Sequence, residues 1–127
     1  MVYNIVKIED ITWLASAIDG EGTICLSNKE ARTPRTQIAV YNTNYEYAKR
    51  AADLMKTKVY PLKYKVKDEE RIIYSASTAN KMTILKVLKQ IEPYLVIKRT
   101  NAISMIRCIL DHYDIADIEL RAYPSLP

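Results

Sequence analysis

Trp13-Leu14-Ala15-Ser16-Ala17-Ile18-Asp19-Gly20-Glu21-Gly22-Thr23-Ile24 is the stretch on which the reading of this chain turns. A run of small and apolar residues stops at two glycines with acids interleaved, and these are the only glycines in 127 residues. Glycine at a helix end permits left-handed backbone angles and lets a second backbone come close. Ser16 and Gly20 lie one helical turn apart on one face, so their small side chains leave room for another helix at short range. The Glu21 carboxylate then sits at the bottom of that junction. Taken alone, Asp-Gly-Glu-Gly is equally a helix end with solvated acids, since turns favour these residues.

Working outward, the composition bounds the answer. With 49% apolar and 27% charged residues the chain is an ordinary globular protein, and 127 residues suffice for one core. Nineteen Lys and Arg against fifteen Asp and Glu leave +4, so the placement of charge, not its sum, must decide for or against a nucleic-acid partner. Cys25 and Cys108 form neither a disulfide framework nor a metal spacing, which implies a reducing compartment. A lone His112 without a Cys/His cluster excludes a histidine-based metal centre. No run approaches a membrane span, and Met1-Val2-Tyr3-Asn4 lacks the form of a secretory signal. A cytoplasmic protein is expected, and an organellar gene product is compatible with the same features.

Periodicity orders the rest. Asp10 can cap a first helix that carries the glycine turn at its end, over residues 10–21. From Thr23 to Lys29 the chain alternates, with Ile24 and Leu26 opposite Thr23, Cys25, Ser27 and Lys29, the period of a half-buried strand. Beyond a polar turn at Ala31 to Pro34, Thr36, Ile38 and Val40 oppose Arg35, Gln37, Ala39 and Tyr41 and close a hairpin. Thr43-Asn44-Tyr45-Glu46 has the form of a capping box, and Tyr47, Ala48, Ala51, Leu54 and Met55 follow at helical spacing, predicting a helix over about 44–56. Leu62 to Lys67 alternates with three lysines on one side, and a turn at Asp68-Glu69-Glu70 leads to a partner strand from Arg71 to Ser77. Ile84, Val87, Leu88 and Ile91 mark a third helix behind a Ser77 or Thr78 cap. Pro93 breaks it, and Ala102, Ile103, Ile106, Ile109, Leu110 and Tyr113 mark a fourth, with an extended tail over 114–127. Helix, two strands, helix, two strands and two helices make an α+β fold in one domain, residues 1–127, with a four-stranded antiparallel sheet covered by helices on one face.

Leu14 to Gly22 resembles the nine-residue signature of the LAGLIDADG homing endonucleases. Ser16 stands where the family usually has glycine, and Glu21 where many members carry aspartate, for which glutamate is a common variant. Two further segments are similar to the family's. Asn42, in Val40-Tyr41-Asn42-Thr43-Asn44, matches the polar residue that orients the water network near the scissile phosphate. Lys98, in Glu92-Pro93-Tyr94-Leu95-Val96-Ile97-Lys98-Arg99, matches the lysine that neutralises transition-state charge. Singly, Asn42 is an ordinary strand-end residue and Lys98 an ordinary solvated lysine; it is their spacing from the signature that matches.

The resemblance implies an αββαββα core with a saddle-shaped sheet. It also implies a single-motif chain acting as a homodimer, with motif helices packed at a two-fold axis through Trp13, Ala15, Ser16, Asp19 and Gly20. Double-stranded DNA is the implied partner, and protein symmetry implies a near-palindromic target. Glu21 and the backbone of Gly20 would hold Mg²⁺ or Mn²⁺, hard cations suited to oxygen ligands. Glu21, Asn42 and Lys98 would then carry a metal-dependent hydrolysis of phosphodiester bonds, in the service of intron mobility.

The open face of such a sheet is expected to carry Thr23, Cys25, Ser27, Lys29, Arg35, Gln37, Tyr41, Lys63, Lys65, Lys67, Arg71, Ser75 and Ser77. Lys and Arg release counterions from phosphates, while Arg, Gln and Ser suit base edges in the major groove. A lysine-rich solvated face is the plain alternative. Two other functions fit the same fold: an intron-RNA maturase, for which Lys81, Lys86 and Lys89 give only a weak basic patch, and a DNA-binding protein that does not cut.

Overall fold

The computed structural model describes residues 5–27, 32 and 34–112. Lys29, Tyr113 and the 114–127 tail lie outside the described residues. Eight elements follow in the order α1 (Ile8–Glu21), β1 (Gly22–Ser27), β2 (Arg35–Asn42), α2 (Tyr45–Leu54), β3 (Val59–Val66), β4 (Glu69–Thr78), α3 (Lys81–Ile91) and α4 (Arg99–His112), with a 3₁₀ turn at Glu92–Tyr94. The fold is α+β, in the αββαββα order. Among the described residues no helix is long and apolar enough to cross a membrane.

The four strands form one antiparallel sheet in the order β1-β2-β4-β3. Ile24, Ile38, Val40 and Ala76 share one face by register and join a core with Leu14 and Ile18 of α1, Ala51 of α2, Ile84, Leu88 and Ile91 of α3, and Met105 and Ile109 of α4. Burying each such Leu or Ile is worth about 1.5–3 kcal/mol, so this face of the sheet is fixed by the helices above it. The β2–β4 ladder stops at Asn42 and Tyr74, whereas the β3–β4 ladder runs on to Val66 and Glu69. Leu62–Val66 and Glu69–Ile73 therefore project beyond the four-stranded part as a two-stranded ribbon.

Local chemistry sets the boundaries, and several differ from the expectation. α1 begins after Lys7 without a side-chain cap, so Asp10 is not the cap. It lies in the first turn, where an acid complements the helix dipole, and it bonds Arg50 at 3.1 Å. Thr43 does not cap α2; Asn44 does, its Oδ1 accepting from the N–H of Tyr47 at 2.9 Å. Asn80, not Ser77 or Thr78, caps α3 by accepting from Thr83 at 3.0 Å. At the tip of the ribbon the turn is Lys67-Asp68, both residues left-handed with φ of 51° and 66°, rather than Asp68-Glu69-Glu70. Two left-handed residues make the tight hairpin turn whose twist matches its strands.

That shortened turn has a large effect on which way side chains face. With Val66 opposite Glu69, Lys63 pairs with Ile72 and Lys65 with Glu70. A change of one residue in turn length exchanges the two faces of a strand relative to its partner. Lys63 and Lys65 consequently lie on the helix side of the sheet, and Lys67 lies in the turn. The other side of β3 carries Tyr60, Leu62, Tyr64 and Val66.

Candidate functional site

The two glycines of the motif do different things. Gly22 opens β1 in an extended conformation, φ −122° and ψ 179°, so the left-handed helix end expected from sequence does not occur. Its need for glycine is one of contact: a Cβ there would stand 2.6 Å from the carbonyl oxygen of Ala39 and 2.8 Å from the Cα of Ile18. The backbone of β2 occupies the space a side chain would take. A Cβ on Gly20 would meet nothing within 4 Å.

Asp19 ties the end of α1 to the entrance of α4. Its carboxylate accepts from the backbone N–H of Val96 at 2.7 Å and of Lys98 at 2.9 Å. The Lys98 ammonium donates to the Asp19 carbonyl oxygen at 2.7 Å. α1 has no basic residue in its own last turn. Lys98 supplies from a distance the cation that the negative end of the helix dipole favours. The exposed Glu21 carboxylate, two residues on, has no hydrogen-bond or ion-pair partner among the described residues. Asn42 stands at the end of β2, two residues beyond Val40, the register partner of Gly22. Its Oδ1 accepts from Asn44 N–H at 2.7 Å, so its Nδ2 is the group left for an external partner.

Beside Glu21, α1 and α2 share an aromatic cluster. The rings of Trp13 and Tyr47 are 5.0 Å apart and inclined by 53°, and the Arg50 guanidinium lies 4.3 Å from the Trp13 ring, steadied by Asp10. Burial first, and the charge of Glu21 second, push the Tyr47 hydroxyl above its ordinary value of 10.0. Trp13 thus makes its contacts within the chain, and Ala15 is buried in the core. Of the five residues expected at a helix-to-helix interface, Ser16 and Gly20 are exposed and Asp19 is turned to Val96 and Lys98, just before α4. Next to Asp19, Val96 and Ile97 are 84% and 74% exposed. Sequence reading missed this pair, although two consecutive apolar residues between a proline turn and Lys98 are visible in it.

On the open side of the sheet Thr23, Cys25, Ser27, Arg35 and Gln37 are exposed, and Tyr41 and Ser77 are half-buried. An open groove of about 560 Å³ runs past Cys25, Ser27, Arg35, Gln37 and Lys81. Arg71 shares this face and bonds Glu69 at 3.3 Å. Ser75 does not present itself: it is 6% exposed, set between its cross-strand partners Tyr41 and Tyr60. Lys63 and Lys65 belong to the opposite side, where Lys63 stands 3.7 Å from Glu70. The expected lysine-bearing open face is therefore corrected to one bearing Tyr60, Leu62, Tyr64 and Val66 on β3.

Solved structures share this architecture. The homing endonuclease I-CvuI, in complex with its target Sro1.3 in the presence of 2 mM Ca, matches with a TM-score of 0.62 and 18% identity over 87% of this chain and 74% of that one. I-CvuI with the I-CreI target C1221 and 2 mM Mg, where the DNA is not cleaved, gives 0.61 and 16% over 91% and 78%. The group I intron-encoded homing endonuclease I-CeuI, complexed with DNA, gives 0.57 and 15% over 94% and 60%. This chain has the LAGLIDADG endonuclease fold. No protein-family model and no curated protein matches its sequence.

Within the LAGLIDADG fold the donor set for a metal can be tested on the chain's own groups. Among the described residues no three His, Cys, Asp or Glu side chains gather as a ligand set. The motif end offers one uncommitted carboxylate, Glu21, since Asp19 is spent on two backbone N–H groups. A hard oxygen donor exposed at a helix end fits a partly hydrated Mg²⁺, provided the remaining ligands come from outside the chain.

Proposed function

We propose that this chain is a homodimeric, divalent-metal-dependent endonuclease that makes a double-strand break at a long, near-palindromic DNA site, in the manner of intron mobility. The observation that carries the reading is the exposed Glu21 at the end of α1, without a hydrogen-bond or ion-pair partner among the described residues, two residues from the Asp19 carbonyl that holds the Lys98 ammonium and at the margin of an exposed polar sheet face. The relatives that share the fold are bound to DNA, which supports the partner. Homodimerisation is supported by the open space at Gly20, the exposed Ser16 on the same helical face, and the uncovered Val96 and Ile97 beside them. Joining two such faces would bring two Glu21 carboxylates together.

Each chain would offer the Glu21 carboxylate and the Gly20 carbonyl to Mg²⁺ or Mn²⁺. Held there, a divalent ion would supply Lewis-acid activation of water and of the leaving 3′ oxygen. Lys98 holds positive charge beside the last turn of α1, where it can stabilise the negative charge that develops on a phosphate. The Nδ2 donors of Asn42 position the attacking water. Like charges on paired Glu21 residues repel, so dimerisation and metal binding are coupled.

Cleavage of a plasmid library carrying randomised and candidate intron-insertion sequences, with Mg²⁺ and with EDTA, tests the proposal. Metal-dependent cuts at one near-palindromic site are expected. Specific binding without cutting would make the chain a DNA-binding protein on the same fold. Neither activity, with intron-RNA splicing assisted instead, would make it a maturase.

A further inference from the structure

The open face of the sheet changes chemistry from one side to the other. On β1 and β2 it presents hydroxyls, a thiol, a guanidinium and an amide. On β3 it presents Tyr60, Leu62, Tyr64 and Val66, all exposed, between 53% and 38%. Register places these four on the same side as Gln37 and Thr23, through Ser75 and Ser77 of β4. The side is therefore continuous, and only its chemistry differs.

Resting on the DNA-binding reading above, we infer that β3 and its ribbon recognise thymine C5-methyl groups in the major groove. Leu62 and Val66 have no hydrogen-bonding atom in their side chains, so they cannot read any donor or acceptor. The one apolar feature a base pair shows in that groove is the thymine methyl. A two-stranded ribbon fits the groove's width. Charge complements this occupant: from Lys58 to Thr78 the chain carries Lys58, Lys63, Lys65, Lys67 and Arg71 against Asp68, Glu69 and Glu70. Lys63 and Lys65, on the reverse of the ribbon, and Lys67 at its tip are placed for the phosphates beside the groove rather than for the base edges.

The spacing sharpens the inference. Leu62 and Val66 are four residues apart on one strand, roughly 14 Å at ~3.4 Å per residue, or about four base pairs. Each half-site then carries two thymines, on either strand, about four base pairs apart and in its ribbon-side segment. β1 and β2 read the remaining segment through hydrogen bonds.

The test uses the wild-type chain in EDTA to select binding sites from randomised duplex DNA. Each thymine of the selected site is then replaced by deoxyuridine, which lacks only the C5 methyl. Two positions in each half-site are expected to lose about fourfold in affinity, the worth of one buried methyl. Leu62→Ala and Val66→Ala, both at exposed positions, should bind the thymine and uracil duplexes alike at one position each. Selection of a site that tolerates every uracil would overturn the methyl reading and leave the DNA-binding reading standing. Selection of no site at all would overturn both. If the two variants instead abolish self-association measured by sedimentation and leave DNA affinity unchanged, the stripe is a contact between copies of the chain and the inference fails.

Discussion

The end of α1 and the β3–β4 ribbon are built on opposite plans. At the helix end, groups 77 and 79 residues apart meet in three hydrogen bonds, and one glycine is fixed by a backbone 2.6 Å from where its side chain would be. On the ribbon nearly every residue is exposed, and its pairing is with the neighbouring strand alone. Under the proposed function, chemistry that depends on close placement would belong with the first, where many contacts determine one geometry. Recognition that varies from target to target would belong with the second, where substitutions leave the core untouched.

That contrast can be broken by mutation. The largest effect is expected from Glu21→Gln, which should lower cleavage by about a thousandfold or more, as loss of a principal electrostatic group does. DNA affinity should persist. Retained cutting in a plasmid assay would remove Glu21 from the chemistry and dissolve the division of labour.

Next comes the pair of glycines. Gly22→Ala drives a methyl into the Ala39 carbonyl and is expected to destabilise the fold by about 1–3 kcal/mol in urea titration. Gly20→Ala should cost the folded chain nothing and gain up to about 1 kcal/mol of helix propensity. If a dimer forms through that face, the same change should weaken it. Equal stabilities for the two variants would contradict the distinction drawn between them.

Asp19→Ala leaves the N–H groups of Val96 and Lys98 without their acceptor, at a cost of about 1–3 kcal/mol where water does not replace it. Protection of those two amides against hydrogen exchange should fall, while ribbon amides stay as they were. The smallest effect belongs to the ribbon's reverse side. Lys65→Ala should reduce the salt dependence of binding by roughly one unit of log–log slope, with sequence preference unchanged. A changed preference would put Lys65 on the bases after all.

How much of this was legible follows from the range of the interactions. Alternation and helical spacing are local patterns, so the eight elements and their order could be read from residues a few positions apart. The hairpin turn could not. Lys67 adopts φ 51° with no glycine or asparagine to announce it, and one residue of turn length reassigned Lys63 and Lys65 to the other face. Caps at Asn44 and Asn80 sit one to three residues from those expected, because Asn, Ser and Thr are near equivalents at such positions. Gly22 was visible as special, but its reason lies in Ala39 on another strand. Trp13 and Ala15 share a helix with Ser16 and Gly20, and only packing against Tyr47 and the core separates the inward residues from the outward ones.

The long reach from Asp19 to Val96 and Lys98 also has a meaning in time. During synthesis all four strands, and every side chain on the open face, have been polymerised before residue 96 exists. Contacts between residues so far apart in sequence are the late events of folding, since loop closure must precede them. A chain still on the ribosome carries the whole open face of the sheet before it carries the lysine that completes the helix end. The open sheet face is thus complete in the order of birth before the helix end that Lys98 and Asp19 close.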